Sequence, residues 1–158
     1  MIHYNFVHRL YCTPSKLFKM KLAQSPHCEL CPLKTTGTFI HMIWECPAVS
    51  LFWNSVVNKM LSIFGFPIPC SPIVLLLNDF STLSLTRKKQ RWLLVCLTAA
   101  KRMVALRWKA PHSLSLNQWE SSVLDLATLE MSVARMHGAE AHNINTWSSF
   151  IDIMHAGN

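Results

Sequence analysis

The chain has 158 residues, of which 51% are hydrophobic and 15% are charged, and its formal net charge is +7. This length predicts one domain, or one domain with an appendage, and the apolar runs are far shorter than the roughly 20 residues of a membrane-spanning helix. The N-terminal residues lack the apolar run of a signal peptide, so we expect an intracellular protein of the nucleus or cytoplasm with no membrane partner.

Two short helices are predicted ahead of the first cysteine pair. Apolar side chains at Ile2, Phe6 and Leu10 recur at helical spacing within residues 2–12. Thr13 followed by Pro14 indicates the start of a second helix, because proline at the first helical position lacks only an N–H that has no intrahelical partner. This second helix is expected to end near residue 22.

Three cysteines and one histidine follow within nineteen residues, in the pattern Cys28-x2-Cys31-x9-His41-x4-Cys46. Two cysteines separated by two residues can reach one ion from a tight turn, and four soft ligands are a complete tetrahedral set for zinc. Because protein ligands fill all four positions, the pattern predicts one structural Zn²⁺ rather than a catalytic one. His27 is a rival to His41, but the spacing of His41 to Cys46 suits a separate second half-site.

The other cysteines leave two further interpretations open. Cys12, Cys70 and Cys96 are expected to be buried core thiols. Six cysteines could also form a disulfide framework, although the Cys-x2-Cys pair and the missing signal peptide favour a metal in a reducing compartment.

Further helices are predicted on both sides of the last ligand and along the rest of the chain. Residues 39–45 are expected to form the helix that carries His41, and the next helix begins at Pro47 and ends at Gly65. Residues 73–77 are an apolar run for which the sequence does not decide between a buried strand and a helical turn. The last predicted helices are residues 86–109, 115–137 and 145–154.

Together these elements predict a mostly α protein. A small zinc-binding helical N-terminal part, with Cys3His ligands, is followed by a bundle-like helical C-terminal part. The predicted boundaries are 1–66 for the zinc-binding domain with its metal motif at 28–46, 67–85 for a linker, and 86–158 for the helical C-terminal region.

One predicted helix carries a face of a single charge. Between residues 80 and 110 there are eight basic residues and no acidic ones. On a helical wheel with about 100° per residue, most of these bases fall inside one sector of roughly 100°. The members of this basic face are Arg87, Lys88, Arg91, Arg102 and Lys109. A second basic cluster precedes the metal motif and consists of Lys16, Lys19 and Lys21.

A face of one sign is the electrostatic pattern expected for contact with phosphate backbones, so RNA or DNA is the predicted partner. Two other interpretations remain: a basic amphipathic helix that binds a membrane or a partner groove, and a solvated face that pairs with acids of the next helix. Those acids are Glu120, Asp125 and Glu130. Aromatic residues near the bases could stack on nucleobases, although aromatics at helical spacing more often belong to the core.

Patterns for catalysis are weak. The sequence has no glycine-rich phosphate loop, and its only aspartates are Asp79, Asp125 and Asp152, so a two-metal centre would need scattered residues. A nucleophile pair of Cys12 and His8 lacks any recognisable oxyanion site. We therefore expect a non-enzymatic protein without a small-molecule substrate.

The N-terminal motifs are similar to those of a known domain. They are Thr13-Pro14 followed by a Lys-Leu-Phe triplet, Ser-Pro-x-Cys-x2-Cys at residues 25–31, Gly-Thr-x2-His-Met-x-Trp-x-Cys-Pro at 37–47, and Phe52-Trp53. Over residues 8–54 the chain resembles the reverse-transcriptase zinc-binding domain at the C-terminal end of the polyprotein of non-LTR (LINE-type) retrotransposons. Residues 97–119 also resemble the C-terminal tail of vertebrate elements of this kind.

The resemblance implies a function. It implies that Cys28, Cys31, His41 and Cys46 bind zinc, that the module helps to hold template RNA or target DNA during target-primed reverse transcription, and that reverse transcriptase domains of a parent element are partners. The family's polymerase and endonuclease domains are not among these 158 residues, so neither activity is expected. The alternatives are a zinc-stabilised protein-interaction domain and a relic reading frame without a selected function.

Overall fold

The computed structural model describes residues 2–107, 114–138 and 141–156, apart from the side chains of residues 141–143, and it is mostly α as predicted. In chain order the described elements are α1 (Ile2–Val7), α2 (Pro14–Lys19), a π-helical turn (His41–Glu45), α3 (Pro47–Phe64), α4 (Pro72–Leu77), α5 (Arg87–Leu106), α6 (Leu116–Met136) and α7 (Ala141–Ala156). Among the helices of this part of the chain, none is long and apolar enough to cross a bilayer.

The predicted helix boundaries are confirmed at three capping residues, whereas α7 begins at Ala141 and not at residue 145. The hydroxyl of Thr13 accepts a hydrogen bond from the N–H of Lys16 at 3.3 Å, and Pro14 is the first residue of α2. Thr86 caps α5 in the same way. Gly65 ends α3 in the left-handed region with φ 71°, where a residue with a Cβ is disfavoured. The first two helices are shorter than predicted, because Arg9 (φ 52°) and Lys21 (φ 58°) adopt the left-handed conformation just after them.

The apolar run at residues 73–77 is helical. It belongs to α4, which starts at Pro72 and ends at Asn78 with φ 59°. The buried side chains of α4 are Val74, Leu75 and Leu76. The predicted linker at residues 67–85 therefore contributes directly to the core.

A stack of aromatic rings from three helices lies in the core. The ring of Trp92 on α5 lies 6.4 Å from that of Phe64 on α3 and 5.2 Å from that of Phe150 on α7. Trp119 of α6 is fully buried, and its indole N–H donates to the carbonyl of Cys96 at 3.0 Å. Large apolar area is thus buried without leaving this indole N–H unpaired.

The N-terminal and C-terminal parts pack against each other. Lys101 of α5 is only 1% exposed, and its Nζ donates to Oδ1 of Asn78 at 2.6 Å and lies 3.2 Å from Nδ1 of His3. This polar cluster joins α1, the end of α4 and α5. Lys59 of α3 also forms an ion pair with Glu120 of α6 at 2.8 Å.

The expectation of three core thiols outside the metal motif is wrong for two of them. Cys96 is buried, but Cys12 and Cys70 are exposed. Cys12 lies between α1 and α2, and Cys70 lies among prolines between α3 and α4. Connecting segments run over the surface, and at these two positions the thiol side chains are left exposed. All six cysteines are free thiols, which leaves no disulfide framework.

Candidate metal centre

Four side chains of the N-terminal part converge on one point. The ligand atoms of Cys28, Cys31, His41 and Cys46 all lie within 4.8 Å of one another. Sγ of Cys31 is 3.5 Å from Nε2 of His41. In a tetrahedral site with metal–ligand bonds of about 2.0–2.3 Å, neighbouring ligand atoms lie about 3.5–3.8 Å apart. A small contraction is therefore enough for these four side chains to hold one metal ion.

The first two ligands lie on a tight turn. The N–H of Cys28 donates to the carbonyl of Thr35 at 2.7 Å, and the N–H of Lys34 donates to the carbonyl of Cys31 at 3.3 Å. Lys34 adopts a left-handed conformation with φ 44°, and an isolated antiparallel bridge closes the base of the turn. These bonds hold both sulfurs on the inner side of the turn.

The second pair of ligands is positioned by the π-helical turn. In an α-helix, side chains five residues apart diverge by about 140°. Here the N–H of Cys46 donates to the carbonyl of His41 at 2.8 Å, which is the five-residue hydrogen bond of a π-turn. The wider turn brings both side chains to one side. The hydroxyl of Thr38 fixes the start of the turn by accepting from the N–H of His41 at 3.2 Å.

His27, the rival ligand, lies outside this group. Its side chain is exposed, whereas those of Cys28 and His41 are buried. Successive residues of an extended segment point to opposite faces, so His27 and Cys28 cannot both face the same ion. The structure therefore supports the preference for His41.

An apolar wall surrounds the four side chains. Met42 and Ile43, which lie between two of the ligands, are buried. The indole N–H of Trp53 on α3 donates to the carbonyl of Ile43 at 3.0 Å, and its ring lies 6.1 Å from that of Trp44. Each ligand is at most 4% exposed, so the packing excludes water from any bound ion.

Burial and hydrogen bonding act in opposite directions on the thiols. Burial raises the pKa of Cys28 to about 11, and the nearby sulfurs of Cys46 and Cys31 add to the increase, while the backbone N–H of Leu30 opposes it. Burial also disfavours the Cys31 thiolate, but hydrogen bonds from the backbone of Thr35 and from neighbouring thiols outweigh it and leave the pKa of Cys31 below its usual value. A bound cation would lower the pKa values of all the coordinating thiols.

The predicted basic residues occupy two described regions. Arg87 and Arg102 are exposed on α5. Lys109, the fifth member of the predicted face, lies outside the described residues. The second cluster is exposed on α2 and just after it, and consists of Lys16, Lys19 and Lys21.

The two remaining members of the basic face are half-buried against aromatic rings. Nζ of Lys88 lies 4.8 Å from the ring centre of Trp92, and the guanidinium of Arg91 lies 5.2 Å from that of Trp147. Cation–π contacts of this kind hold the charges close to the helix. Glu120 of α6 forms an ion pair with Lys59 of α3.

Arg107 is absent from the predicted site residues, yet its side chain contacts the segment that carries the four ligands. We call this segment, residues 28–46, the ligand loop. Its Nη2 donates to the carbonyl of Leu30, between the first two ligands, at 2.9 Å. Arg107 is 8% exposed. The sequence contains a signal for this burial, since on the helical wheel Arg107 falls in the middle of the apolar face of α5 and not among the other bases.

No protein-family model matches the chain. The geometry establishes a mostly α protein with a buried Cys3His group that can hold one metal ion.

Proposed function

We propose that the chain is a nucleic-acid-binding module, stabilised by one structural zinc ion, of the kind implied by its resemblance to the reverse-transcriptase zinc-binding domain of non-LTR retrotransposons. In a parent element it would hold template RNA or target DNA for the reverse transcriptase domains. The observation that carries the proposal is the convergence of four buried soft ligands.

The chemistry of the ligand set supports zinc. Three thiolates and an imidazole suit zinc, whereas calcium and magnesium prefer oxygen ligands. Four protein ligands leave no position for water or substrate, which is typical of a structural site. Zinc in such sites supplies roughly 10–16 kcal/mol of apparent folding free energy at neutral pH. That contribution would stabilise residues 28–46. Among the described elements, the regular structure of this segment is confined to the π-turn region and one bridge.

The exposed bases of α5 support contact with a nucleic-acid strand. Arg87 and Arg102 are both exposed and lie fifteen positions apart on one helix. This separation corresponds to about 22 Å along the helix axis. Phosphates of one strand advance by about 3.4 Å each along a duplex. The distance between the two arginines therefore corresponds to about six phosphates.

The nucleic-acid role is tested by fluorescence anisotropy with the zinc-loaded chain and labelled single-stranded RNA and DNA at several salt concentrations. We expect a chain with both Arg87→Gln and Arg102→Gln to bind roughly tenfold more weakly and to reduce the slope of log K against log salt by about 1.4. Arg135→Gln, which removes an exposed base from α6, serves as the control and should change neither quantity. Absence of salt-dependent binding by the wild-type chain would refute this role.

A second candidate function is a zinc-stabilised protein-interaction domain, and an apolar groove favours it. The groove has a volume of about 620 Å³ and is walled by α1, α4 and the segment that precedes the π-turn. Ile73 and Leu77 on its wall are more than half exposed. If a second copy of the chain covers this groove, analytical ultracentrifugation should detect dimers that Ile73→Asp dissociates, whereas a monomer at all concentrations would exclude this assembly.

A further inference from the structure

A buried guanidinium at the end of α5 has unused hydrogen-bonding capacity. Arg107 is more than nine-tenths buried, and only its Nη2 is engaged, by the carbonyl of Leu30. In the described part of the chain, Nε and Nη1 of Arg107 are buried and have no hydrogen-bond partner. Unfilled donors on a buried charge are costly, and an anion is the ligand that satisfies both the charge and the donors.

Arg107 lines two cavities, and they differ in what they offer an anion. The larger, of about 390 Å³, has Ser55 as its other polar side chain. The hydroxyl of Ser55 already donates a hydrogen bond to the carbonyl of Leu51 at 3.0 Å. The smaller, of about 210 Å³, is lined by Arg107 together with the polar side chains of Ser25 and His27. The smaller cavity is therefore the one of the two in which other lining side chains offer free donors beside Arg107.

The donors of the smaller cavity come from different segments. The hydroxyl of Ser25 accepts a hydrogen bond from the backbone N–H of His27 at 3.2 Å, so its own O–H remains available to donate. The ring of His27 adds an N–H. Leu17 of α2 forms part of the wall, and its neighbours Lys16 and Lys19 are exposed. One wall of the cavity thus belongs to the helix that carries two members of the second basic cluster.

We propose that this cavity is a binding site for a phosphate group, with Arg107 as its principal ligand and Ser25 and His27 as supporting donors. A guanidinium, a hydroxyl and an imidazole N–H can together satisfy several oxygens of one phosphate. Glu29 also lines the cavity and is the acidic side chain that would compete for Arg107. The site does not depend on the proposed nucleic-acid role. A phosphodiester of a strand and a free phosphate share this chemistry.

The experiment follows the Nε–H resonance of Arg107 by nuclear magnetic resonance while inorganic phosphate is added to the ¹⁵N-labelled, zinc-loaded full chain. We expect a saturable shift that chloride at matched ionic strength does not produce. Arg107→Lys should weaken phosphate binding by about tenfold, because it keeps the charge but loses the fork of donors. Ser25→Ala should weaken it by a smaller factor, and Arg135→Gln, distant in sequence and exposed, should leave it unchanged.

Several results would overturn the site. One is that the Arg107 resonance does not shift with phosphate up to about 50 mM, which is well above a weak dissociation constant of about 1 mM. Another is that chloride produces an equal shift. Binding that appears only after Glu29→Gln would also overturn it, since Glu29 would then be the natural partner of Arg107. Because Ser25→Ala and the wild-type titration leave the buried arginine intact, the test does not depend on the folding of Arg107→Lys.

A competition titration identifies the source of the phosphate. If a single-stranded oligonucleotide displaces inorganic phosphate from Arg107, the site takes a phosphodiester of the strand. If phosphate binds and the oligonucleotide does not displace it, the site takes a free phosphate group. A failure of the proposed nucleic-acid role is thus distinguishable from a failure of this site, which is read with inorganic phosphate alone.

Discussion

The chemistry of each cysteine in this protein depends on the position of its backbone. Cys28, in the turn, is fully buried among three other ligands, whereas Cys12, on the connection between α1 and α2, is exposed. Both residues are cysteines, and only their surroundings differ. Only the first can share a metal ion.

This difference leads to a matched pair of substitutions. We expect Cys28→Ser to lose the bound zinc and much of the stability, because three ligands cannot close the tetrahedral site and the folding free energy supplied by the metal is forfeited. Cys12→Ser should retain one zinc per chain. Elemental mass spectrometry with circular dichroism measures both effects, and a full zinc content in Cys28→Ser would show that the ligand assignment is wrong.

Lys101 is a second residue whose environment changes its chemistry. Burial lowers the pKa of Lys101 to about 7. Burial, followed by the charges of Lys101 and the N-terminus, also lowers the pKa of His3. Among the described residues, the hydrogen-bond partners of the amine are an amide and an imidazole and not a carboxylate. The cluster therefore provides no negative charge to stabilise a protonated Lys101.

The consequence is a pH-dependent stability. The ordinary pKa of lysine is about 10.4, so between pH 7 and about pH 10 the unfolded chain binds more protons at Lys101 than the folded chain does. The free energy of unfolding should therefore rise with pH in this window, by about 2 kcal/mol between about pH 7 and about pH 9. Lys101→Met should remove this contribution and be the more stable chain at neutral pH.

Urea unfolding of the wild-type chain and of Lys101→Met at the two pH values measures the effect. The difference in unfolding free energy between the two chains should be larger near pH 7 than near pH 9. This double difference cancels the titration of the cysteines and of other groups whose pKa values Lys101 does not change. An identical difference at both pH values would contradict a neutral Lys101.

At the scale of elements, the first residue of α2 packs directly against the ligand loop. A Cβ atom at Gly37 would lie only 2.7 Å from Cγ of Pro14, the first residue of α2. The N–H of Ser15 donates to the carbonyl of Gly37 at 3.2 Å, and the N–H of Gly37 donates to the carbonyl of Pro26 at 2.8 Å. Glycine is required here because of this close approach, so the start of α2 and the loop between the ligand pairs depend on each other.

We expect Gly37→Ala to destabilise the protein by about 1–3 kcal/mol, because the added methyl group overlaps the Pro14 ring. Pro14→Ala removes the ring, so adding it to Gly37→Ala should recover part of the loss. Chemical denaturation of the two single variants and the double variant yields the coupling energy. If the two effects are simply additive, the contact between Gly37 and Pro14 does not limit the stability.

Helix α5 has two faces that serve different regions of the molecule. One face of the helix supplies Trp92, Cys96 and other residues of the core, and the opposite face presents Arg87 and Arg102. The helix thus connects the packed interior to the surface proposed for nucleic acid. Arg107 extends the connection to the metal centre through its bond to the ligand loop.

At the scale of the whole molecule, the candidate ligands and the aromatic stack occupy different parts of one core. The four candidate metal ligands lie within residues 28–46, while the aromatic stack of Phe64, Trp92 and Phe150 belongs to α3, α5 and α7. The stack contains none of the four ligands. Loss of metal should therefore affect the two regions unequally.

Hydrogen exchange with mass spectrometry tests this inequality. After removal of metal by a chelator, the amides of residues 28–46 should lose most of their protection, while those of the buried middle of α5 should largely keep theirs. Cys28→Ser without chelator should reproduce the pattern, which would exclude a direct effect of the chelator. Uniform loss of protection along the chain would instead show a single cooperative unit that depends on the metal.

The sequence alone was sufficient for features that depend on neighbouring residues. The spacing of Cys28, Cys31, His41 and Cys46 identified the group that can hold a metal. The Thr13-Pro14 pair located the start of α2, and the periodicity of residues 86–109 located the two faces of α5. Capping, ligand spacing and helical periodicity act over a few residues, so they can be recognised without knowledge of distant contacts.

Only the tertiary structure decided which residues are covered by distant parts of the chain. It buried Lys101 but left Cys12 and Cys70 exposed, it placed Arg107 against the carbonyl of Leu30, and it made a helix of the apolar run that became α4. It also replaced an ordinary helical turn at His41 by a π-turn that aligns two ligands. Burial depends on which elements pack together from far apart in the sequence, and local propensity carries no information about that choice.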